Sequence, residues 1–263
     1  VEPHTSDHIV VRGLRKTFST PIGDIHALTD IHLQVRRGEI LTLLGPSGCG
    51  KSTLLAIMGG MLPADQGEVL IDGEVCTGPD PKKVAMVFQD PGLFPWRTAL
   101  ENVEFGLEIQ GAPKTRRNEV ARKLLEPLGL KGFEHRYPRQ LSGGMKQRVA
   151  IARALALDSE ILLMDEPFAA LDEQTRLHMA DWLLKVWAGA RKTIVFVTHS
   201  IQEAIAISHR IAVMTARPGR IKGIFDDPLP HPRDLTSREA NDLRAVLWDQ
   251  VREESLKAME SAG

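Results

Sequence analysis

The chain has 263 residues, 43% hydrophobic and 25% charged, an ordinary soluble balance with length for one large α/β domain or two small ones. Lys and Arg number 33 against 34 Asp and Glu, so no net field draws it to nucleic acid or anionic lipid, and the short clusters Arg36-Arg37, Lys82-Lys83 and Arg116-Arg117 read as solvated surface. Two cysteines argue against a disulfide framework, no apolar run approaches the roughly 20 residues of a membrane span, and residues 1–7 lack the pattern of a secretory leader, so a cytoplasmic protein is expected.

Residues 9–18 and 28–35 alternate partly between apolar and polar and read as two strands with a turn at Pro21 and Gly23. Placed ahead of the main motif, they predict an antiparallel layer added to a parallel core. The apolar run Ile40-Leu41-Thr42-Leu43-Leu44 then leads into Gly45-Pro46-Ser47-Gly48-Cys49-Gly50-Lys51-Ser52-Thr53, and Leu54-Leu55-Ala56-Ile57-Met58 continues as a helix. This stretch fits G-x-x-x-x-G-K-[ST] at every fixed position and in the strand–loop–helix context that the pattern requires. Its glycines let backbone N–H groups curl inward while the helix adds its positive end, which makes a cage for a polyphosphate. In this geometry Lys51 reaches the β- and γ-phosphates, the Ser52 hydroxyl is a ligand of Mg²⁺, and Thr53 adds a phosphate contact. The amide dipoles and Lys51 are also expected to favour the thiolate of Cys49.

Strands follow at 67–72 and 84–88, separated by turns at Gly73 and at Gly78-Pro79-Asp80-Pro81. From 98 to 157 the periodicity is helical. Val120, Leu124 and Leu128 are expected on one face, and Pro127 should stop that helix early. Core alternation resumes with a strand at 160–165, a helix near 173–188 and a strand at 193–197. A helix with Ser200 and Glu203 at capping-box spacing comes next, then strands at 210–215 and 219–225. Residues 228–232 read as a stiff linker, and a last helix opens on a Thr236/Glu239 capping box with Leu243, Leu247 and Val251 on one face. The organisation expected is one domain over 1–263. Residues 1–89 and 158–227 form the catalytic core with its β layer, 90–157 an inserted helical subdomain, and 228–263 the linker and last helix.

Two further motifs carry chemistry. Ile161-Leu162-Leu163-Met164-Asp165-Glu166 is an apolar strand ending in two acids; after a phosphate loop, the first acid suits Mg²⁺ and the second suits proton transfer from an attacking water. Leu141-Ser142-Gly143-Gly144-Met145-Lys146-Gln147-Arg148 places Ser142 as a helix N-cap, with two glycines leaving the first turn open to an anion. If the first loop already holds the nucleotide, this second helix start has no anion of its own chain to meet.

With these motifs the sequence resembles the ATP-binding-cassette (ABC) ATPases over nearly its whole length, and the fold implied is α/β: a P-loop NTPase cassette with a RecA-like core, an antiparallel β subdomain and an inserted α-helical subdomain. Ser142, Gly143 and Gly144 resemble the signature that contacts ATP in trans, with Met145 where glutamine is commoner. Gln89 resembles the Q-loop glutamine that meets Mg²⁺ and the water, Asp172 in Ala170-Leu171-Asp172 the D-loop, and His199 the switch histidine. Phe18 corresponds to the aromatic residue that stacks on adenine. The catalytic set so implied is Glu166, His199, Gln89 and Lys51, the metal set Ser52, Gln89 and Asp165, and the cofactors ATP and Mg²⁺. The resemblance also implies a head-to-tail homodimer closed by ATP, coupled to integral membrane permease subunits and, through them, to a periplasmic solute-binding protein. Nucleic acid is not an expected partner.

The irregular run Asp90-Pro91-Gly92-Leu93-Phe94-Pro95-Trp96-Arg97 is expected to expose part of an apolar patch for the permease, with at least one of Leu93, Phe94 and Trp96 packing inward. That run, with Glu101-Asn102-Val103 and the tail Leu229-Pro230-His231-Pro232-Arg233-Asp234, is similar to the nitrate/sulfonate/taurine group of importers. An ATPase at the cytoplasmic face of the inner membrane, powering uptake of a small anion, is therefore expected. The alternatives are the ATPase of an exporter, a non-transport ABC ATPase, and a module that binds ATP without hydrolysing it; intact Glu166 and His199 weigh against the last.

Overall fold

In the computed structural model, residues 7–21 and 23–260 are described; residues 1–6, on which the leader was judged, lie outside them. The parallel sheet forms where the sequence is most continuously apolar. Strands β3 (Ile40–Leu44), β7 (Ile161–Asp165) and β8 (Thr193–Thr198) are buried along their whole lengths, as strands covered on both faces must be. With β6 (Val84–Val87), β9 (Arg210–Met214) and β10 (Ile221–Asp226) they make a six-stranded sheet in the order β10-β9-β3-β8-β7-β6. Only the β9–β10 pair in it is antiparallel.

Alternation divides these strands between two cores. Leu41, Leu43, Leu163, Val195 and Val197 face helix α1 (Lys51–Met58) and a second, four-stranded antiparallel sheet. That sheet runs β2-β1-β4-β5, from β1 (Asp7–Thr20), β2 (Gly23–Arg36), β4 (Gln66–Ile71) and β5 (Glu74–Val75). Ile40, Leu162, Met164, Ile194 and Phe196 face the other way, in a cluster shared with α2 (Ala99–Ile109), α3 (Lys114–Leu125), α4 (Gly143–Leu155) and α5 (Glu173–Ala190). A third cluster joins α6 (Ile201–Ile207) to α7 (Arg238–Glu260) through Ala204, Ile205, Ala240 and Leu247, with Leu243 and Val251 packed against it.

Several local expectations change. The buried face of α3 is Ala121 and Leu125. Val120 and Leu124 only flank it, and Leu128 lies past the helix, which ends at Leu125 with Glu126 as cap, just before Pro127. Ser200 caps α6 by accepting from the Glu203 amide, but the Glu203 carboxylate turns to the Thr198 hydroxyl at 2.6 Å and to Arg176 at 3.2 Å, so the box is not reciprocal. The reciprocal box sits at α2, between Thr98 and Glu101. At α7 the Thr236 hydroxyl is taken by Asp234, and it is Ser237 that accepts from the Ala240 amide. Residues 228–232 are not a free spacer either. His231 lies against His209 and Trp187, and the following Arg233 pairs with buried Asp227 at 2.9 Å.

Candidate active site

The parallel strands point their carboxyl ends at one edge of the sheet, where open α/β sheets bind ligands. The loop leaving β3 turns through Gly48 and Gly50, at φ 76° and 103°, which places both in the left-handed region that favours glycine. At Gly50 a Cβ would stand 2.7 Å from Leu28 Cδ2 and 2.9 Å from the Ala27 carbonyl, so the loop needs glycine for space as well as for φ. Helix α1 starts at Lys51 with no acidic residue in its first turn, which leaves its positive end free for an anion. Lys51 is buried and donates to the Gly45 carbonyl at 2.8 Å and the Pro46 carbonyl at 2.9 Å.

A cleft of about 400 Å³ opens here, lined by Phe18, Ile25, Ala27, Ser47, Gly48, Gly50, Lys51, Ser52, Thr53, Gln89, Glu166 and Arg217. Gly45, Pro46 and Ser47 also border a second groove, of about 750 Å³, in which His199 faces Trp248 and Met259 of α7. A larger cavity of about 1060 Å³ lies at the amino ends of the strands, around Arg37, Glu39, Trp187 and Thr193. It is at the wrong end of the sheet, and its acids are already paired, Glu160 with Arg37, Glu39 with Arg210 and Asp158 with Lys192. We therefore take the smaller cleft as the site.

The two acids after β7 have different surroundings. Asp165 is 6% exposed, and burial pushes its carboxyl above the ordinary range, with Glu166's charge adding to the shift while the Ser52 hydroxyl and Lys51 pull against it. Its Oδ1 has no hydrogen-bond partner. A buried carboxyl with an orphaned oxygen beside the Ser52 hydroxyl, which shares the cleft with exposed Gln89, fits a small divalent cation. Glu166 follows with φ 43°, strained for a residue with a side chain. Its amide is held by the Val197 carbonyl at 3.0 Å, and its carboxylate meets His199 Nδ1 at 3.1 Å. The pair can orient a water and take its proton.

Cys49 departs from expectation. It is 1% exposed, packed under the loop, and burial raises its thiol pKa more than Lys51, 3.8 Å away, lowers it. The thiolate is disfavoured. Phe18, 38% exposed, stands at the cleft wall, with the Lys16 ammonium 5.6 Å from its ring centroid.

Ser142, Gly143, Gly144 and Asp172 do not line this cleft. Ser142 caps α4 by accepting from the Met145 amide, and Asp172 caps α5 by accepting from Thr175. Gly144 lies against Leu171 and Ala170, where a Cβ would come within 2.9 Å of Leu171 Cδ2. The two helix starts are thus packed together, and Ser142 and Gly143 remain exposed. Residues passed over in the sequence tie this lobe to the cleft. Gln147 donates to the Phe88 carbonyl beside Gln89, and Arg153 to the Pro91 and Gly92 carbonyls. Gly219, expected only as a turn residue with Pro218 at the start of the last strand, presses on the phosphate loop so closely that a Cβ would stand 2.2 Å from the Cys49 carbonyl.

Comparison with known proteins gives a consistent result. The ABC transporter family matches residues 28–169. An uncharacterized ABC transporter ATP-binding protein of Methanocaldococcus jannaschii is 51% identical over 249 residues, 95% of this chain and 93% of its own. The aliphatic sulfonates import ATP-binding protein SsuB of Bacillus cereus is 43% identical over 242 residues, 92% of this chain and 95% of its own. Among solved structures, the dimeric post-hydrolysis ATP-binding cassette MJ0796 bound to ADP and Pi superposes with a TM-score of 0.78 at 35% identity, covering 83% of this chain and 98% of that one. By these matches the chain belongs to the ABC transporter family and is one of its ATP-binding, ATP-hydrolysing cassettes.

Proposed function

We propose that this cassette powers an importer, driving uptake of a small anion of the sulfonate, taurine or nitrate type through separate membrane permease subunits. The observation that carries the catalytic part is the Glu166 carboxylate, hydrogen-bonded to His199 and open to the phosphate-loop cleft. In this reading Phe18 stacks on the base, residues 45–50 wrap the phosphates with their amides, and Lys51 leaves the Gly45 and Pro46 carbonyls for the β- and γ-phosphates. Thr53 adds a contact in the first turn of α1. Ser52, Gln89 and Asp165 would hold Mg²⁺, which when bound neutralises charge between the β- and γ-phosphates. Glu166 takes the proton of a water aligned on the γ-phosphate, and His199 holds that carboxylate in place and meets the γ-phosphate in turn.

The helix start at Ser142, Gly143 and Gly144, exposed at its first two residues, supports a head-to-tail pair in which each chain caps the nucleotide of the other, with Asp172 at the seam. Closure follows ATP binding, and reopening follows hydrolysis. Among the described residues no helix is long and apolar enough to cross a membrane, so the proposed place of work is the cytoplasmic face of the inner membrane, docked on the permease. The anion class is supported by the 43% identity to the sulfonate import protein, and a periplasmic binding protein would deliver the solute. Reconstituting the cassette with its permease and binding protein in liposomes tests the whole assignment. ATP hydrolysis should rise when taurine, an alkanesulfonate or nitrate is supplied with the binding protein. Hydrolysis indifferent to all three would reject the anion assignment.

A further inference from the structure

We propose that Arg217, carried on the turn between β9 and β10, is a second phosphate-binding cation of the nucleotide site beside Lys51. The inference rests on the reading of the cleft as the ATP site and deepens it. Arg217 lines the same cleft as Phe18, Lys51, Ser52 and Glu166, from a part of the chain 169 residues beyond the loop it touches. Its Nε and Nη2 both donate to the Gly48 carbonyl, at 3.2 and 3.1 Å. Two donors of a five-donor guanidinium thus share one neutral acceptor. No carboxylate lies within ion-pair distance of it among the described residues, although the chain's other arginines near acids are paired. An exposed guanidinium without a counterion, facing a cage built for a polyphosphate, is an anion site that the protein itself leaves open.

The turn holding it is rigid, which separates it from an incidental surface arginine. Thr215 and Arg220 close the turn through Thr215 N to the Arg220 carbonyl and Arg220 N to the Thr215 hydroxyl, both at 3.0 Å. Gly219 is bonded on both sides to β2, its N–H to the Ala27 carbonyl at 2.9 Å and its carbonyl to the Thr29 N–H at 3.0 Å. On the outer side the Ala216 amide donates to Glu254 of α7 at 2.9 Å, and Glu254 is buried and paired with Lys222 and Lys257. Arg217 is therefore delivered to the cleft by the β layer and the last helix together. Its charge is pre-positioned at little ordering cost when the nucleotide arrives. Lys51 and Arg217 are the two cations lining the cleft, so Arg217 adds a second positive charge where the phosphates would lie.

Calorimetric binding of ATP, ADP and adenosine to the full chain, wild type against Arg217→Ala and Arg217→Lys, tests this. Arg217→Ala should weaken ATP and ADP about tenfold, the scale of one charge-assisted contact, and leave adenosine within about twofold. Arg217→Lys should regain part of the loss, and raising the salt concentration should narrow the gap between wild type and Arg217→Ala. Unchanged ATP affinity in Arg217→Ala would reduce the residue to a brace on Gly48. A loss shared equally by adenosine, with a lower melting temperature and no rescue by lysine, would do the same. If the wild-type protein bound adenosine and ATP equally, the phosphate-site reading of the cleft itself would fail, and the inference with it.

Discussion

Cys49 shows how a single side chain's surroundings can reverse a reading based on its neighbours. Loop amides and Lys51 favour a thiolate, but both act on a sulfur that the loop has covered, and the loss of water outweighs them. Because its pKa is raised, the reactive fraction at pH 8 is smaller than for a free thiol. A maleimide should therefore label half-buried Cys76 first and reach Cys49 only after unfolding; mass spectrometry of the labelled peptides checks the order. Gly219 is the neighbouring case. A Cβ there meets the Cys49 carbonyl at 2.2 Å, and backbone cannot give way like a side-chain tip. Gly219→Ala should lower stability by about 1–3 kcal/mol, the range for overpacking, and weaken ATP binding as the loop shifts. Thermal melts with and without ATP would show both. Neither Gly219 nor Arg217 was legible in the sequence, because their significance is a tertiary contact with a loop about 170 residues earlier. The phosphate loop itself was legible, since its function is written in consecutive residues.

At the scale of elements, the segment from Asp90 to Arg97 divides into inward and outward halves. Leu93 packs against the helical core, and Phe94 meets Phe105 as a tilted pair at 4.5 Å, with Arg97 and Arg153 over its ring. Trp96 is 71% exposed and touches Phe94 at 5.6 Å. Phe94→Ala should cost about 2 kcal/mol, less than the ~3–5 kcal/mol of a fully buried phenylalanine. Trp96→Ala should leave the melting temperature close to wild type and weaken assembly with the permease by about 2 kcal/mol or more, as loss of an aromatic anchor does. Melts of the free subunit beside pull-down with the permease separate the two effects. A large melting loss for Trp96→Ala would return it to the fold. Elements with continuous apolar runs, such as β3, β7 and β8, could be read almost to the residue. Caps and faces could not, because Thr236 and Glu203 had other partners in space: Asp234 for one, Thr198 and Arg176 for the other. The face of α3 was misjudged for a related reason: Pro127 had already ended the helix before Leu128 could join it.

For the whole molecule, the account turns on an incomplete site. One chain supplies a cleft lined by the phosphate loop and Glu166, with His199 bonded to that carboxylate, while Ser142 and Gly143 stand exposed outside it. A second copy would complete both ends by the same contact, in the two-fold pair proposed above. The most direct measurement is light scattering after size exclusion of Glu166→Gln in MgATP. Removing the carboxylate base costs about 10²–10⁴ in rate while leaving the phosphate contacts in place, so ATP should persist and hold the pair closed. The account predicts a dimer that falls apart when ATP is removed, and a monomer when a Ser142→Arg change is added. A strictly monomeric Glu166→Gln protein that binds ATP with wild-type affinity would contradict it.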